Sequence, residues 1–403
     1  TPAETVSLVE PIAVDTEGKI IENAEINLET NTVTVNGTKI SGAKIITEQF
    51  VPMGPAASQV AIKQTGTNGG GFMGVNSAHP LENPNPFTNL FEMISLLLIP
   101  AALCFTFGKS MKNKKQGIAI FMAMFICLAI ALSIIGINEQ AGTQQLAQNG
   151  MVDLSANGQS GGNMEGKETR FGIATSSTWA TYTTAASNGS VNSMHDSYTP
   201  LGGMIPLLHM MLNVVFGGKG VGLMNMIMYA ILAVFICGLM IGRTPEYLGK
   251  KIEGREMKLT ALCIIIHPFL ILFFSALAVS TSGGLEGITN PGFHGLSQVL
   301  YEYSSSAANN GSGFEGLADN TYFWNITAGL AMFFGRYLSI VIQLAIVGSL
   351  MKKNFVKESV GTLHTDNAAF AVILVFIVYI FAALTFFPAL ALGPTAEHLT
   401  LWA

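Results

Sequence analysis

The sequence is poor in charge. Only 11% of its 403 residues are Asp, Glu, Lys or Arg, whereas 50% are hydrophobic. Soluble domains carry roughly 25% charged residues, so this scarcity excludes an ordinary soluble fold and predicts a protein surrounded by membrane lipid. The few basic residues form no continuous stripe, and we therefore expect no nucleic-acid partner.

Cysteine and the common catalytic motifs are scarce too. The cysteines lie inside apolar segments without C-x-x-C spacing, and the histidines lack paired ligand spacing, so we expect neither a disulfide framework nor a metal site held by Cys or His. The phosphate-binding loop G-x-x-x-x-G-K-[ST] and an Asp-Lys-Thr-Gly phosphorylation motif are missing. We therefore predict no catalytic site in this chain and no ATP bound by it. The cysteines are Cys104, Cys127, Cys237 and Cys263.

Long apolar runs dominate what is present. Each is long enough to cross a hydrocarbon layer of roughly 30 Å, for which a helix needs about 20 residues. They predict an all-α integral membrane protein with about six transmembrane helices. The runs lie near 87–108, 116–137, 205–242, 258–281, 322–350 and 368–393.

Lys and Arg concentrate in the first, third and fifth loops between these runs, which predicts that these loops are cytoplasmic. The other loops, and residues 1–86, would then lie outside. Because the chain starts at Thr1 without a signal peptide, we expect it to be a fragment of a longer protein. The basic residues are Lys109, Lys112, Lys114 and Lys115, then Arg243, Lys250, Lys251, Arg255 and Lys258, then Lys352, Lys353 and Lys357.

Three Asn-Gly pairs in the predicted outer loops, Asn68-Gly69, Asn188-Gly189 and Asn310-Gly311, share one setting and are separated by 120 and 122 residues. Each copy follows a short run with helical spacing (53–65, 175–187 and 296–308) and precedes a long apolar run. A short helix, a glycine loop and a membrane helix form the layout of an ion-pore repeat. The alternative is three surface turns, because Asn-Gly is a common turn signal.

The pore interpretation makes each loop part of a selectivity filter. Backbone carbonyl groups replace the water shell of a monovalent cation, and glycine adopts the dihedral angles that aim them at one axis. Such a filter needs four repeats and this chain has three, so we expect the fourth upstream. The predicted cation-binding residues are Thr67, Asn68, Gly69, Ser187, Asn188, Gly189, Asn309, Asn310 and Gly311.

Two further features predict control of the ion path. The run 205–242 is nearly twice the length of one span and contains Gly217, Gly218, Lys219 and Gly220, which predict a flexible gate below the filter. Arg336 lies in the middle of the fifth run and would place a positive charge below the filter. The alternatives are an ordinary external loop before a normal span, and a structural ion pair made by Arg336.

The predicted organisation begins with an external polar segment, 1–50, which is a small β-hairpin or a loose loop with a turn at Asn36-Gly37. Residues 51–110 hold the pore helix, filter loop and second helix of repeat 2. Residues 111–250 form repeat 3 with the gating break, 251–357 form repeat 4, and 358–403 form a C-terminal transmembrane helix.

Seven further sequence stretches are distinctive, namely Met53–Gln59, Thr67–Phe72, Asn163–Glu168, Met194–Ser197, Gly242–Lys251, Arg255–Thr260 and Phe387–Pro394. They resemble the potassium-binding A subunit of bacterial Kdp potassium-transporting ATPases. The resemblance covers about residues 52–394 and lacks the first repeat together with the first helix of the second.

This resemblance implies a potassium-transporter superfamily fold and a protein that selects K⁺ for ATP-driven, high-affinity uptake. It implies multi-pass insertion in a bacterial inner membrane, with the filter loops on the outer side. The implied partners are a P-type ATPase that hydrolyses ATP, a periplasm-facing single-span protein, a second and smaller single-span protein, and membrane lipid; ions would pass sideways through a tunnel to the ATPase. The alternatives are a stand-alone cation channel or symporter of the same superfamily, and a membrane scaffold whose glycine loops are only turns.

Overall fold

The computed structural model describes residues 3–52, 54–143, 161–242, 245–356 and 362–401. Met53, Arg243 and Lys357, which entered the predictions above, lie outside the described residues. The chain divides into two compact units, Thr1–Val60 and Ala61–Ala403. The boundary falls inside a short helix, Gly54–Thr65.

The N-terminal unit is built of β-strands. Ala3–Val14 pairs antiparallel with Lys44–Pro52, and Glu25–Asn27, Thr32–Val35 and Thr38–Lys39 form a three-stranded sheet. Asn36 and Gly37 connect two of these strands with φ of 51° and 76°, as a two-residue hairpin turn requires. Of the two alternatives for residues 1–50, the β-structure is therefore correct.

The second unit contains six helices that are long and apolar enough to cross a membrane, within the described part of the chain. The prediction of an all-α membrane-spanning region with about six helices is confirmed. The helices are Pro86–Ser110, Lys114–Ala141, Val221–Ile241, Gly254–Val279, Tyr322–Met351 and Ala368–Leu390, the last continuing through Ala391–Thr395 into Ala396–Leu401.

Asparagine and threonine side chains mark where several of these helices begin. Asn85, Asn113, Thr321 and Asn367 each accept hydrogen bonds from backbone N–H groups of the first turn. These N–H groups have no partner inside the helix, so a capping side chain stabilises the helix start by about 1 kcal/mol. The caps explain why apolar runs with weak amphipathic character start at defined residues.

The three basic loops meet at one end of the helices. Asn113 Nδ2 donates to Asp366 Oδ2 at 3.1 Å and thereby joins the first loop to the fifth. Lys250 Nζ donates to the carbonyl oxygen of Lys353 at 2.5 Å, which joins the third loop to the fifth. One end of this unit therefore carries most of the basic residues, as the loop pattern predicts for a single membrane side.

Two of the shorter helices pack against the long ones. Gly172–Ala185 packs on Lys114–Ala141, and Phe293–Ala308 packs on Gly254–Val279 and Tyr322–Met351. Both are largely buried although they are rich in Ser and Thr. Irregular backbone at membrane depth requires such enclosure by protein, because lipid offers no hydrogen bonds.

The run 205–242 is interrupted. One helix, Pro200–Leu212, ends at Asn213 in the left-handed conformation, and the next begins at Val221. Between them Phe216, Gly217, Gly218 and Gly220 all have positive φ, which a continuous helix excludes. The break predicted from length and glycine content is present at the expected residues.

Candidate functional site

The three Asn-Gly loops share one backbone conformation. In each, the residue before the asparagine and the glycine after it have positive φ, while the asparagine does not. A β-branched residue such as Thr67 rarely adopts positive φ, so this strain persists because the surroundings enforce it. The φ values are 47°, 50° and 55° for Thr67, Ser187 and Asn309, and 74°, 91° and 101° for Gly69, Gly189 and Gly311.

Each asparagine side chain braces its own loop. The Oδ1 atom accepts from the backbone N–H two residues later, at 3.3 Å for Asn68, 2.9 Å for Asn188 and 2.9 Å for Asn310. The Nδ2 atom of Asn188 also donates to the carbonyl oxygen of Lys63 at 2.9 Å, and that of Asn310 to Thr183 at 3.0 Å. The second and third asparagines therefore tie each loop to the short helix of the preceding repeat.

The loops touch one another through their glycines. A Cβ atom added to Gly69 would lie 1.8 Å from the carbonyl oxygen of Asn188, and one added to Gly189 would lie 2.1 Å from that of Asn310. Gly311 is exposed and its Cβ position meets nothing nearer than Gly189 Cα at 4.0 Å. Two consecutive contacts of the same kind thus leave the third loop, among the described residues, without another loop packed on its glycine.

The loops, the helix break and Arg336 line a single cavity of about 450 Å³. The ends of the short helices face it, and the C-terminal end of a helix carries partial negative charge that attracts a cation. The structure thereby brings together residues of all three loops, the break and Arg336. The lining residues are Gly66, Thr67, Asn68, Ser187, Gly217, Gly218, Lys219, Val221, Ala308, Asn309, Asn310, Gly311, Met332 and Arg336.

Lys219 and Arg336 supply positive charge to this cavity. Lys219 is exposed, and the Arg336 side chain is half-buried in the helix Tyr322–Met351. Among the described residues, no carboxylate forms a salt bridge with Arg336. The alternative of a structural ion pair at Arg336 therefore has no support in the described part of the chain.

Two hydroxyl side chains that sequence reasoning missed hold the loop glycines. The N–H of Gly189 donates to Thr183 Oγ1 at 3.1 Å, and the N–H of Gly311 donates to Ser305 Oγ at 3.0 Å. A signal was present, because Thr-Thr-Ala-Ala-Ser-Asn-Gly ending at Gly189 matches Ser-Ser-Ala-Ala-Asn-Asn-Gly ending at Gly311. In the first copy Lys63 occupies the equivalent position.

Lys63 anchors the first loop through a buried ion pair that the sequence pattern did not reveal. Its Nζ lies 2.5 Å from Glu82 Oε2, and both side chains are almost fully buried. The same Nζ donates to Asn76 Oδ1 and Ser77 Oγ, and Asn76 Nδ2 donates to the carbonyl oxygen of Gly69 at 2.8 Å. A buried charge requires this complete set of partners, because desolvating an unpaired ammonium costs several kcal/mol.

A second buried ion pair supports the segment after the middle loop. Lys167 Nζ lies 2.7 Å from Glu139 Oε2, with both side chains at 0% exposure. Burial lowers the pKa of Lys167, and the charge of Glu139 opposes that shift. The N–H of Met194 donates to the carbonyl oxygen of Gly166 at 2.7 Å, so the segments Asn163–Glu168 and Met194–Ser197 lie side by side.

Comparison with known proteins assigns this arrangement to a family. Residues 9–399 match the family described as potassium-transporting ATPase A subunit. The chain belongs to this family. The family proposed from sequence motifs is thereby confirmed, as is the predicted membrane fold class.

Relatives named "Potassium-transporting ATPase potassium-binding subunit" match nearly the whole chain. Proteins from Clostridium botulinum (strain Alaska E43 / Type E3) and Clostridium perfringens (strain ATCC 13124) are 60% and 62% identical over 98% and 89% of this chain. A Geobacillus kaustophilus protein is 57% identical over 88%. The matched regions cover 64%, 62% and 62% of those three relatives, so the chain spans less than two thirds of their length.

Proposed function

We propose that this chain carries most of the ion-selecting part of a K⁺-translocating subunit in an ATP-driven uptake complex. The observation that carries the proposal is the set of three Asn-Gly loops, which share one strained conformation, contact one another and open onto one cavity. Family membership supports K⁺ as the transported ion.

The filter residues act through their backbone. Carbonyl oxygens of Thr67, Ser187 and Asn309 and of their neighbours in each loop replace water around a dehydrated K⁺ without adding net charge, so the ion binds and still leaves. The three loops differ in sequence, which makes the filter asymmetric. A fourth glycine-centred loop, packed on the open face of Gly311, completes it in the full-length protein.

The cavity below the loops receives the ion. Lys219 and Arg336 oppose free passage of cations by their positive charge, and the glycine-rich break at Gly217, Gly218 and Gly220 moves to admit the ion. A separate P-type ATPase in the complex binds ATP and takes K⁺ through a lateral tunnel. A periplasm-facing single-span protein and a smaller single-span protein complete the assembly in a bacterial inner membrane.

The membrane orientation is proposed from the basic loops. Their clustering at one end supports a cytoplasmic position for that end and an outer position for the glycine loops. In this orientation residues 1–50 lie outside. The pore repeats are then 51–110, 111–250 and 251–357, with a final helix in 358–403.

The test uses the full-length protein purified with its partners from the membrane. We expect K⁺ to stimulate ATP hydrolysis, and Gly189→Asp to reduce the apparent K⁺ affinity by more than tenfold, because its side chain would displace Asn310. Gly313→Ala is the control, since its Cβ position is open.

Unchanged affinity in Gly189→Asp would contradict the filter and favour surface turns in a scaffold. Ion flux by the purified protein in vesicles without any copurifying ATPase would favour a stand-alone channel or symporter.

A further inference from the structure

A buried chain of side chains leads to the third glycine loop. His195 Nδ1 lies 2.7 Å from the Tyr301 hydroxyl, and that hydroxyl lies 3.0 Å from Ser312 Oγ. Ser312 Oγ in turn lies 2.6 Å from Asn310 Oδ1. All four residues are at most 4% exposed, so water does not compete for these contacts.

The donor and acceptor of each hydrogen bond follow from the one between Ser312 and Asn310. Asn310 Oδ1 accepts from the N–H of Ser312 at 2.9 Å, while Asn310 Nδ2 donates to Thr183, which assigns the amide orientation. The Ser312 hydroxyl therefore donates to Oδ1, the Tyr301 hydroxyl donates to Ser312, and His195 donates from Nδ1.

His195 is held in the form that this chain of hydrogen bonds requires. Burial, with a contribution from the charge of Lys167, lowers the pKa of His195 to about 3. A neutral imidazole with its proton on Nδ1 is then present at every physiological pH. The ring donates to Tyr301 at all times, so the hydrogen-bonded chain is a permanent brace.

The brace connects two repeats. His195 follows the second glycine loop, whereas Tyr301 belongs to the third short helix and Ser312 to the third loop. The carbonyl oxygen of Asn310 is the heavy atom nearest to the position that a Cβ on Gly189 would occupy. Movement of Asn310 therefore changes the spacing between the second and third loops.

The second repeat has an equivalent brace. Trp179 lies nine residues before Asn188, as Tyr301 lies nine before Asn310. Its Nε1 donates at 2.9 Å to the carbonyl oxygen of Ser190, which corresponds to Ser312. Two aromatic side chains at matching positions thus hold the residue two places after the loop asparagine, which indicates a shared positioning role.

We propose that Tyr301, oriented by His195, is a positioning residue that sets the spacing of the third glycine loop and thereby the apparent K⁺ affinity. This inference rests on the proposed function, because it assumes that the loops bind the ion. Tyr301 does not contact the ion; it acts through Ser312 and Asn310.

The experiment compares two tyrosines of one helix. Tyr301→Phe removes the hydroxyl that joins His195 to Ser312, whereas the control, Tyr303→Phe, removes a buried hydroxyl that bonds Thr327 Oγ1 at 2.8 Å. In the full-length complex we expect Tyr301→Phe to lower the apparent K⁺ affinity for ATP hydrolysis about tenfold, with the maximal rate nearly unchanged, as loss of a buried hydrogen-bond partner predicts. Tyr303→Phe should retain the native affinity.

Double variants test whether Tyr301 acts through Ser312. If it does, Tyr301→Phe combined with Ser312→Ala should lose no more K⁺ affinity than the more harmful of the two single variants. In Tyr303→Phe combined with Ser312→Ala, the effects of the two substitutions on K⁺ affinity should be additive. Equal loss of affinity in both tyrosine variants, together with lower thermal stability, would overturn the positioning role.

The Gly189→Asp variant separates the two proposals. If it loses K⁺ affinity while Tyr301→Phe does not, the positioning role is overturned and the proposed function stands. If neither variant changes the affinity, both proposals fail.

Discussion

Replacing Gly189 by alanine tests the contact between the second and third loops most directly. The new Cβ would lie 2.1 Å from the carbonyl oxygen of Asn310, whereas carbon–oxygen contacts rarely fall below about 3.3 Å. The two loops must therefore separate by about 1 Å. In addition, φ of Gly189 is 91°, and a positive φ costs an alanine about 1–2 kcal/mol.

The expected effect is a loss of ion affinity rather than a loss of fold. In enzyme active sites, misplacing a group by about 1 Å can cost on the order of 100-fold in rate; by analogy we expect the apparent K⁺ affinity of Gly189→Ala to fall 10- to 100-fold. The assay is K⁺-stimulated ATP hydrolysis by the full-length complex, with thermal unfolding measured alongside. Gly313→Ala is the matched control, because its Cβ position has no atom within 4 Å.

A native K⁺ affinity in Gly189→Ala would refute the reasoning, because it would mean that the loops separate without affecting the ion. The neighbouring glycines extend the test. Gly69→Ala, with its Cβ 1.8 Å from Asn188, should be at least as harmful as Gly189→Ala. Gly311→Ala should be equally harmful in the full-length protein if a fourth loop packs on its open face, and should show only the cost of positive φ otherwise.

Three other perturbations have defined outcomes. Lys63→Met leaves Glu82 buried without its partner and should destabilise the full-length protein by about 3–5 kcal/mol, seen as a lower Tm; Lys19→Met, which breaks an exposed pair, should leave Tm unchanged. Burial lowers the pKa of His294, but hydrogen bonds to two carboxylates outweigh it and raise the pKa to about 9. Protonated His294 should contribute about 3 kcal/mol to the stability of the fold. This contribution should be fully present below pH 6.5 and lost as the pH rises through about 9. If the Tm of His294→Gln still declined over this pH range, His294 would not be the cause of the decline. A positive charge about 10 Å from a cation repels it by about 1.7 kcal/mol at an effective dielectric constant of about 20. Arg336→Gln should therefore raise the ATP-independent leak of Rb⁺ into vesicles roughly tenfold. An unchanged leak would exclude Arg336 as a barrier to cations.

Most of the fold followed from local sequence properties. The lengths of the apolar runs predicted the six long helices, because about 20 apolar residues are needed to cross the hydrocarbon wherever they occur. The helix break at Gly217–Gly220 followed from excess length and glycine content. The β-structure of residues 1–50 was harder to predict, since Thr32–Val35 is a short strand whose formation depends on neighbours across the sheet.

The positions of the loops in the candidate site could be predicted from the sequence, but the side chains that hold those loops could not. The regular spacing of Asn68, Asn188 and Asn310 identified the loops. The matching stretches before Gly189 and Gly311 place Thr183 and Ser305 at equivalent positions, but only their hydrogen bonds to the glycine N–H groups reveal their role. The buried pair of Lys63 with Glu82 was also missed, since these residues are 19 positions apart in a polar stretch.

The sequence by itself determined which segments enter the membrane and which residues can adopt the strained loop conformation. Both depend on local quantities, namely the transfer energy of a helix and the dihedral freedom of glycine. Tertiary structure alone decided that Gly69 meets Asn188, that Gly189 meets Asn310, and that Arg336 shares their cavity. The two glycine contacts join residues more than 100 positions apart, and the position of Arg336, like these contacts, arises from the packing of whole helices.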